Sequence, residues 1–196
     1  GLKTGMRVAV ACPDGYRPAK EVLDFAADFG DAFTLTGDCL EAAAGADVIS
    51  ADTFGANAYK AGSYELSGKL IRAGVKLARE AAKDKFVALD LGPVGKLMEP
   101  AGPMTFDEAY DIFAHAVEAG KEGADLILLE TMTDLYELKA ALLAAREHSD
   151  LPVIASMTFE QNLRTFMGCD AVCYALTASP LADAIGVNCS LGPDEL

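Results

Sequence analysis

The chain has 196 residues, of which 52% are hydrophobic and 18 are glycine, a composition typical of one globular α/β domain rather than a disordered chain. A formal net charge of −14 argues against a nucleic-acid partner, because phosphate contacts require clustered Lys and Arg. We expect no membrane span and no secretory signal, since no apolar run approaches the length that a membrane helix needs. Five scattered cysteines suit a reducing compartment, so we predict a cytoplasmic protein.

Short apolar runs alternate with amphipathic segments of helical period along most of the chain. The first clear pair is the run Ala46–Ala51 and the helical pattern from Tyr64 to Lys83. This alternation indicates a parallel sheet with helices between its strands. The remaining predicted strands are Phe86–Leu91, Asp125–Glu130, Leu151–Ser156 and Ala184–Cys189, and the remaining helices begin at Thr105 or cover Asp134–His148 and Val172–Ala178.

Local signals mark the ends of these helices. Thr105 and Glu108 have the spacing of a capping box, in which each residue satisfies a free backbone N–H group. The segments Gly45–Asp47, Gly123–Asp125 and Leu181–Asp183 precede strands, and we expect the glycines to end their helices in the left-handed conformation of a repeated barrel turn. We assign five residues of the first helix to its buried side: Leu66, Leu70, Ile71, Val75 and Leu77.

Polar residues follow the predicted strands, at the ends that face one side of a parallel α/β fold. Any one of them could instead cap a helix or bond a loop amide. Because successive strands repeat the pattern, it favours a binding site. Glu130 directly follows four apolar residues, where a carboxylate is costly to bury without a cation, so we expect it to hold a substrate ammonium group. The other predicted binding residues are Asp52, Thr53, Ser156 and Asn188.

The last strand ends in Asn188 and Cys189, and a Gly-Pro turn follows. This arrangement is typical of a strand that delivers a reactive thiol to its carboxyl end. With the motifs of the earlier strands, it resembles the homocysteine S-methyltransferase family, especially the homocysteine-binding domain of cobalamin-dependent methionine synthases. The resemblance covers about residues 41–196 and rests on Ile49–Ala56, Asp90–Pro93, Leu128–Thr131 and Gly186–Leu196.

The resemblance implies a TIM (β/α)8-type barrel that binds zinc through three cysteine thiolates. Cys189 matches the first of these ligands and is the predicted catalytic residue. Zinc would deprotonate the homocysteine thiol, which then attacks a methyl group to give methionine. A carboxylate at Glu130 would hold the amino-acid end of homocysteine. The methyl donor varies within the family and can be methylcobalamin, S-methylmethionine or betaine. The stretches Gly92–Gly102 and Met157–Phe159 resemble the cobalamin-dependent branch, which implies methylcobalamin carried by a partner domain or protein.

The chain departs from the family pattern at both ends. The first 40 residues lack the Asp-Gly-x-x-Gly-Thr motif, although Arg7–Ala11 could form a strand, Pro13–Gly15 a turn and Ala19–Phe29 a helix. The Cys-Cys pair and the last two barrel strands have no counterpart. We therefore expect a single partial barrel domain over residues 1–196, with about five to six β/α units.

The sequence leaves open how the zinc site is completed and whether the chain is catalytic. Cys169 and Cys173 are four residues apart, so on one helical face they could complete a zinc site with Cys189, although helical cysteines are more often buried hydrophobic residues. We favour a chain that is the greater part of a methyltransferase barrel, whose missing strands and cysteines are supplied by the complete protein or by a partner chain. The alternative is a truncated or derived barrel that binds or assembles without catalysis, and its open sheet would favour oligomerisation or aggregation. An aldolase-like barrel is disfavoured because no strand ends in a lysine.

Overall fold

The computed structural model describes residues 2, 5–12, 15, 17–53 and 55–189, and these fall into two compact units, Gly1–Asp47 and Val48–Leu196. The prediction that one barrel domain covers residues 1–196 stays a prediction, because the contacts within each unit do not determine how the units associate. Among the described residues, no helix is both long and apolar enough to cross a lipid bilayer.

The amino-terminal unit contains two parallel strands, β1 (Val8–Ala11) and β2 (Phe33–Thr36). Helix α1 (Lys20–Ala27) connects them, and α2 (Cys39–Ala43) follows β2. The predicted strand and helix of this region are therefore present, whereas β2 and α2 were not predicted. The predicted turn at Pro13 and Asp14 lies outside the described residues.

The second unit is built on one parallel sheet of five strands, whose order in space is their order in the chain. Each of the five strands agrees with its predicted counterpart to within two residues at both ends, because each is a short apolar run bounded by turn residues. The strands are β3 (Val48–Asp52), β4 (Phe86–Leu91), β5 (Leu126–Met132), β6 (Val153–Met157) and β7 (Ala184–Val187), and the helices are α3 (Ala58–Ala61), α4 (Tyr64–Ala82), α5 (Phe106–Gly120), α6 (Leu135–His148) and α7 (Ala171–Ala178).

Helix α4 buries a different face from the one predicted. Ile71 and Val75 are buried as expected, but Leu66, Leu70 and Leu77 are exposed. The helix has two apolar faces, and the face rich in small residues is the one that packs. Close approach explains the choice, since a Cβ atom added at Gly123 would lie only 2.5 Å from Val75 Cγ1. The buried positions of α4 are Ser67, Gly68, Ile71, Val75, Ala78 and Ala82.

Helix α5 begins with the predicted capping box. Thr105 Oγ1 accepts a hydrogen bond from the Glu108 backbone N–H at 3.2 Å, and Glu108 Oε2 accepts one from the Thr105 N–H at 3.0 Å. The left-handed turn is present at Gly45, with φ of 78°, whereas Gly123 ends a 3-10 turn without a positive φ. The glycine prediction was therefore wrong at Gly123, because the chain enters β5 through that 3-10 turn instead.

The predicted turns Gly123–Asp125 and Leu181–Asp183 share an aspartate that accepts hydrogen bonds from an arginine and from a strand N–H group. Asp125 Oδ2 accepts hydrogen bonds from the Val87 backbone N–H at 2.7 Å and from an Arg79 guanidinium nitrogen at 2.6 Å. Arg79 also donates to the carbonyl oxygens of Gly123 and Lys85. Burial raises the pKa of Asp125, but the donors from Val87 and Arg79 outweigh it and hold the pKa below its usual value.

Asp183 repeats this arrangement two strands further along the sheet. Its Oδ2 accepts from the Val153 N–H and from Arg146, each at 2.8 Å. The Val153 N–H and then Arg146 lower the pKa of Asp183. We refer to the two groups, Arg79–Asp125–Val87 and Arg146–Asp183–Val153, as the amino-end clips. They tie β4 to β5 and β6 to β7 at the amino ends of the strands.

Candidate active site

The opposite edge of the sheet carries the predicted thiol. Cys189 follows β7 by two residues, and its side chain is exposed. Its backbone has φ of 61°, a left-handed conformation that a residue with a side chain adopts only when its surroundings hold it there. The structure holds β7 in place through Tyr174 of α7, whose hydroxyl lies 2.8 Å from the carbonyl oxygen of Ala155 and 3.0 Å from that of Gly186.

A bulge in β5 shapes the neighbouring strand end. Leu129 pairs with Ala155 and Met132 pairs with Met157, so β5 has one more residue than β6 between these two pairs. The bulge contains Glu130 and Thr131. Thr131 has φ of 56°, which is unusual for a β-branched residue and costs on the order of 1–3 kcal/mol.

Asn188 connects this bulge to the thiol. Its Oδ1 accepts from the Thr131 N–H at 3.1 Å, and its Nδ2 donates to Thr131 Oγ1 at 2.8 Å. The same Nδ2 lies 3.4 Å from Glu130 Oε2 and 3.4 Å from Cys189 Sγ. Thr131 Oγ1 itself lies 3.6 Å from that sulfur. A single amide side chain thus contacts the predicted ammonium-binding carboxylate and the predicted reactive sulfur.

Two residues at the end of strand β6, which lies between β5 and β7, donate hydrogen bonds to Asn188. Ser156 Oγ donates to Asn188 Oδ1 at 2.6 Å, and Thr158 Oγ1 donates to the Asn188 carbonyl oxygen at 3.0 Å. Ser156 and Thr158 are both buried. The structure therefore brings together Glu130, Ser156, Asn188 and Cys189, four of the six predicted site residues, at the carboxyl ends of β5 to β7.

The other two predicted residues belong to the end of β3. Thr53 is buried, and its Oγ1 donates to the Asp90 carbonyl oxygen at 2.5 Å. The Asp52 backbone pairs with Asp90, but the Asp52 side chain lies outside the described part of the structure. Asp90 Oδ2 accepts from Ser50 Oγ at 2.5 Å, so a buried carboxylate lies at this end of β4 as well. The role predicted for Asp52 and Thr53 stays a prediction.

Sequence reasoning missed the buried acid Glu137. It lies in the first turn of α6, is 3% exposed, and accepts from the Val94 backbone N–H at 2.6 Å through Oε1. Burial raises the pKa of Glu137 to about 7; the Val94 N–H and Lys60 act against this rise, and Asp134 adds to it. Asp134 and Glu137 have capping-box spacing, and that local pattern gives no sign of a bond to a loop 43 residues away.

The described residues do not form a complete zinc site. Among them, no group of three His, Cys, Asp or Glu side chains lies close enough to hold a metal ion, whereas a catalytic zinc needs three protein ligands. Cys169 does not share a helical face with Cys173, because α7 begins only at Ala171, after the cap residue Asp170. Cys189 is therefore one candidate ligand, and the part of the chain that the structure describes does not place two more beside it.

Comparison with known proteins agrees with this arrangement. A family model described as homocysteine S-methyltransferase matches residues 42–196, which include all five strands of the larger sheet. The chain belongs to the homocysteine S-methyltransferase family. The resemblance predicted from the sequence motifs is thereby confirmed.

Relatives within the family include the methionine synthases of two mycobacteria. The Mycobacterium tuberculosis protein is 31% identical over 170 residues, and the Mycobacterium leprae protein is 30% identical over 170 residues. Each alignment covers 78% of this chain but only 14% of the methionine synthase. The chain therefore spans about one seventh of the length of these relatives.

Solved structures of the Escherichia coli homocysteine methyltransferase MmuM have a similar fold. Its metallated form aligns with a TM-score of 0.67 and 19% identity, covering 80% of this chain and 62% of that one. Its apo form aligns with a TM-score of 0.65 and 19% identity, covering 99% of this chain and 76% of that one. The α/β fold with parallel strands is thus confirmed; among the described strands the five-stranded sheet remains open.

Proposed function

We propose that this chain forms the homocysteine-binding part of a methyltransferase that transfers a methyl group from methylcobalamin to the homocysteine thiol, giving methionine. The observation that carries the proposal is the cluster of Glu130, Asn188 and Cys189 at the carboxyl ends of β5 and β7. Family membership and the methionine synthase relatives supply the reaction class. Methylcobalamin would be presented by a partner domain or protein.

Glu130 is the proposed partner of the homocysteine ammonium group. Its carboxylate lies at the same strand edge as the exposed thiol, and Asn188 Nδ2 contacts both groups at 3.4 Å. An amino acid bound to Glu130 would therefore place its side chain near Cys189. The polar side chains of Thr53 and Ser156 already donate to protein oxygens, so we propose that they shape the binding site, and Asp52 completes the proposed set.

Cys189 is the proposed catalytic residue and one proposed zinc ligand. Because the described residues do not supply two further ligands beside it, at least one ligand would have to come from outside them. The larger sheet would be one arc of a TIM-type barrel, and the protein would act in the cytoplasm.

A second candidate function is a binding or assembly module without catalysis. The exposed leucines of α4, Leu66, Leu70 and Leu77, favour it because they leave an apolar face uncovered in this unit. An assembly module would form oligomers at micromolar concentration in sedimentation measurements, and replacing the three leucines by glutamine would dissociate them. A methyltransferase would keep its homocysteine binding in the same triple variant.

The decisive experiment measures methionine formation from homocysteine and methylcobalamin by the purified chain and by two cysteine variants. We expect Cys189→Ala to reduce the rate to that of the uncatalysed reaction and to lower the zinc content. Cys173→Ala removes another exposed thiol, on α7, and should leave both quantities unchanged. Failure of the unmodified chain to bind homocysteine, or full activity in Cys189→Ala, would overturn the proposal.

A further inference from the structure

The loop between β4 and α5 is held by two side chains, Lys60 of α3 and Glu137 of α6. Glu137 Oε1 accepts a hydrogen bond from the Val94 N–H at 2.6 Å, and Lys60 Nζ donates one to the Pro93 carbonyl oxygen at 2.8 Å. That N–H and that carbonyl belong to one peptide group, in which they point in opposite directions. A basic and an acidic side chain therefore hold the two ends of a single peptide.

The backbone around this peptide leaves room for the lysine. Gly95 has φ of 97°, and a Cβ atom added there would lie only 2.9 Å from Lys60 Cε. A residue with a side chain would therefore be strained at position 95 and would displace the lysine. Asn57 holds the other end of Lys60, since its Oδ1 accepts from the Lys60 backbone N–H at 2.9 Å and its Nδ2 lies 3.4 Å from the Val94 carbonyl oxygen.

The acid at this peptide is deeply buried. Glu137 is 3% exposed and Val94 is fully buried, so the bond between them is shielded from water. Burying a carboxyl group costs stability, and the raised pKa of Glu137 reflects that cost. An apolar side chain at position 137 would avoid the cost, but it would leave the buried Val94 N–H without an acceptor. The acid is therefore matched to the loop rather than to the packing of α6.

Strand pairing ends just before the proposed binding residue Glu130. Strand β4 ends at Leu91, which pairs with Leu129, and Glu130 follows directly. Beyond this pair, the ladder does not determine how far the loop after β4 lies from the bulge of β5. Glu137 supplies a connection there, because α6 follows β5 and the first turn of α6 bonds Val94 of the loop.

We propose that Glu137 and Lys60 are positioning residues, which hold the Pro93–Val94 peptide between α6 and α3 and thereby set the distance between the end of β4 and Glu130 in the homocysteine site. Both act through the loop after β4. This inference deepens the proposed function and rests on it for the identity of the ligand. The hold on the peptide itself stands on the contacts described above, independently of what the site binds.

The first test is the homocysteine affinity of two Glu137 variants of the 196-residue chain, measured by isothermal titration calorimetry. Glu137→Met removes the acceptor and keeps the length of the side chain, whereas Glu137→Gln keeps a carbonyl oxygen for the Val94 N–H. We expect the methionine variant to bind about tenfold more weakly, since small displacements of positioned groups have large effects, and the glutamine variant to bind within about twofold of the parent. Equal affinity in the parent and Glu137→Met, or a glutamine variant as weak as the methionine variant, would overturn the proposal.

Ile127→Val is the control for a loss of stability alone. Ile127 is fully buried near the start of β5, so the variant loses core packing and keeps both bonds to the Pro93–Val94 peptide. Under conditions where both proteins are folded, Ile127→Val should bind homocysteine like the parent. An Ile127→Val variant as weak as Glu137→Met would show that general destabilisation explains the loss, and would overturn the positioning role.

Lys60→Met removes the other half of the hold and gives a second variant if Glu137→Met does not fold, because Lys60 is exposed. We expect homocysteine binding to weaken about threefold, less than for the buried acid because solvent screens the lysine. The double variant should bind no more weakly than Glu137→Met, since both side chains act on one peptide; a product of the two single effects would overturn that shared action. Lys76→Met, at an exposed lysine of α4, is the matched control and should bind normally.

Amide hydrogen exchange at Val94, measured by NMR without homocysteine, tests the hold on the peptide separately from the proposed function. We expect the Val94 N–H to exchange at least about tenfold faster in Glu137→Met than in the parent, and at the parent rate in Glu137→Gln. Unchanged exchange in Glu137→Met would overturn the positioning role. Faster exchange in Glu137→Met, together with a parent chain that does not bind homocysteine, would overturn the proposed function and leave the hold on the loop in place.

Discussion

The two edges of the five-stranded sheet use their acidic residues in opposite ways. At the amino ends, Asp125 and Asp183 each meet an arginine and a backbone N–H, and both pKa values are lowered. At the carboxyl ends, burial dominates around Glu137, whose pKa is raised to about 7. Thr131 adds a strained backbone at that same edge. The amino edge is therefore arranged for stability, whereas the carboxyl edge gives up stability to hold polar groups in place, as is usual for the two ends of parallel β/α folds.

The largest effect that we expect from this contrast is the pH dependence of the free energy of unfolding that Glu137 causes. Its pKa is raised from 4.5 to about 7, so the folded chain binds more protons than the unfolded chain between these values. Stability should consequently fall as pH rises from 5 to 8, by roughly 3 kcal/mol from this one group. Glu137→Gln should remove that dependence. Urea unfolding of both proteins at pH 5 and pH 8 measures the difference.

Glu137→Gln can also change the free energy of unfolding by an amount that does not depend on pH. That amount cancels when the values at pH 5 and pH 8 are subtracted. Asp125 and Asp183 do not interfere, because their lowered pKa values place their effect in the acid range. Lys60 lowers the pKa of Glu137 and Asp134 raises it, and both side chains are the same in the two proteins that are compared. An equal pH dependence in the parent and in Glu137→Gln would contradict the role assigned to the Glu137 carboxyl group.

The next largest effect is expected on substrate affinity. Glu130→Gln removes the negative charge proposed to hold the homocysteine ammonium group, and loss of one charge-assisted bond should weaken binding about tenfold, or roughly 1.4 kcal/mol. Its stability should change little, since the side chain is only half-buried. Isothermal titration calorimetry with homocysteine measures the affinity. Glu160→Gln, an exposed acid in the loop after β6, is the matched control and should bind normally.

How far the sequence predicts this molecule depends on whether a feature is local. The strand Phe86–Leu91 and the cap at Thr105 were predicted correctly because neighbouring residues determine them. The predicted grouping of Glu130 with Asn188 and Cys189 came from motifs at successive strand ends. The contact that fixes the Thr131 backbone comes from a residue 57 positions away, and no local pattern reveals it. Hydrophobicity likewise does not predict which of the two apolar faces of α4 is buried.

At the amino edge, Asp125→Asn should lower stability by about 1 kcal/mol, because the amide loses the charge that Arg79 and the Val87 N–H both recognise. The side chains of Arg79 and Asp125 are 37% and 36% exposed, so solvent screening keeps the effect modest. The difference from the parent should shrink as pH falls below 3.8 and the aspartate takes up a proton. Denaturant unfolding at pH 7 and pH 3 would reveal this, and an equal loss at both would exclude the charge as its cause.

The smallest effect separates the amino-end clips from ordinary ion pairs. Lys69 and Glu65 form a pair one helical turn apart on α4, with 64% and 81% of the side chains exposed. No strand amide takes part, so Lys69→Ala should change stability by no more than about 0.5 kcal/mol. The same unfolding measurement applies to both variants. If Lys69→Ala costs as much as Asp125→Asn, simple charge pairing accounts for the amino edge. A clearly smaller cost means that the bond to the Val87 N–H, which ties β4 to β5, is what distinguishes the clip.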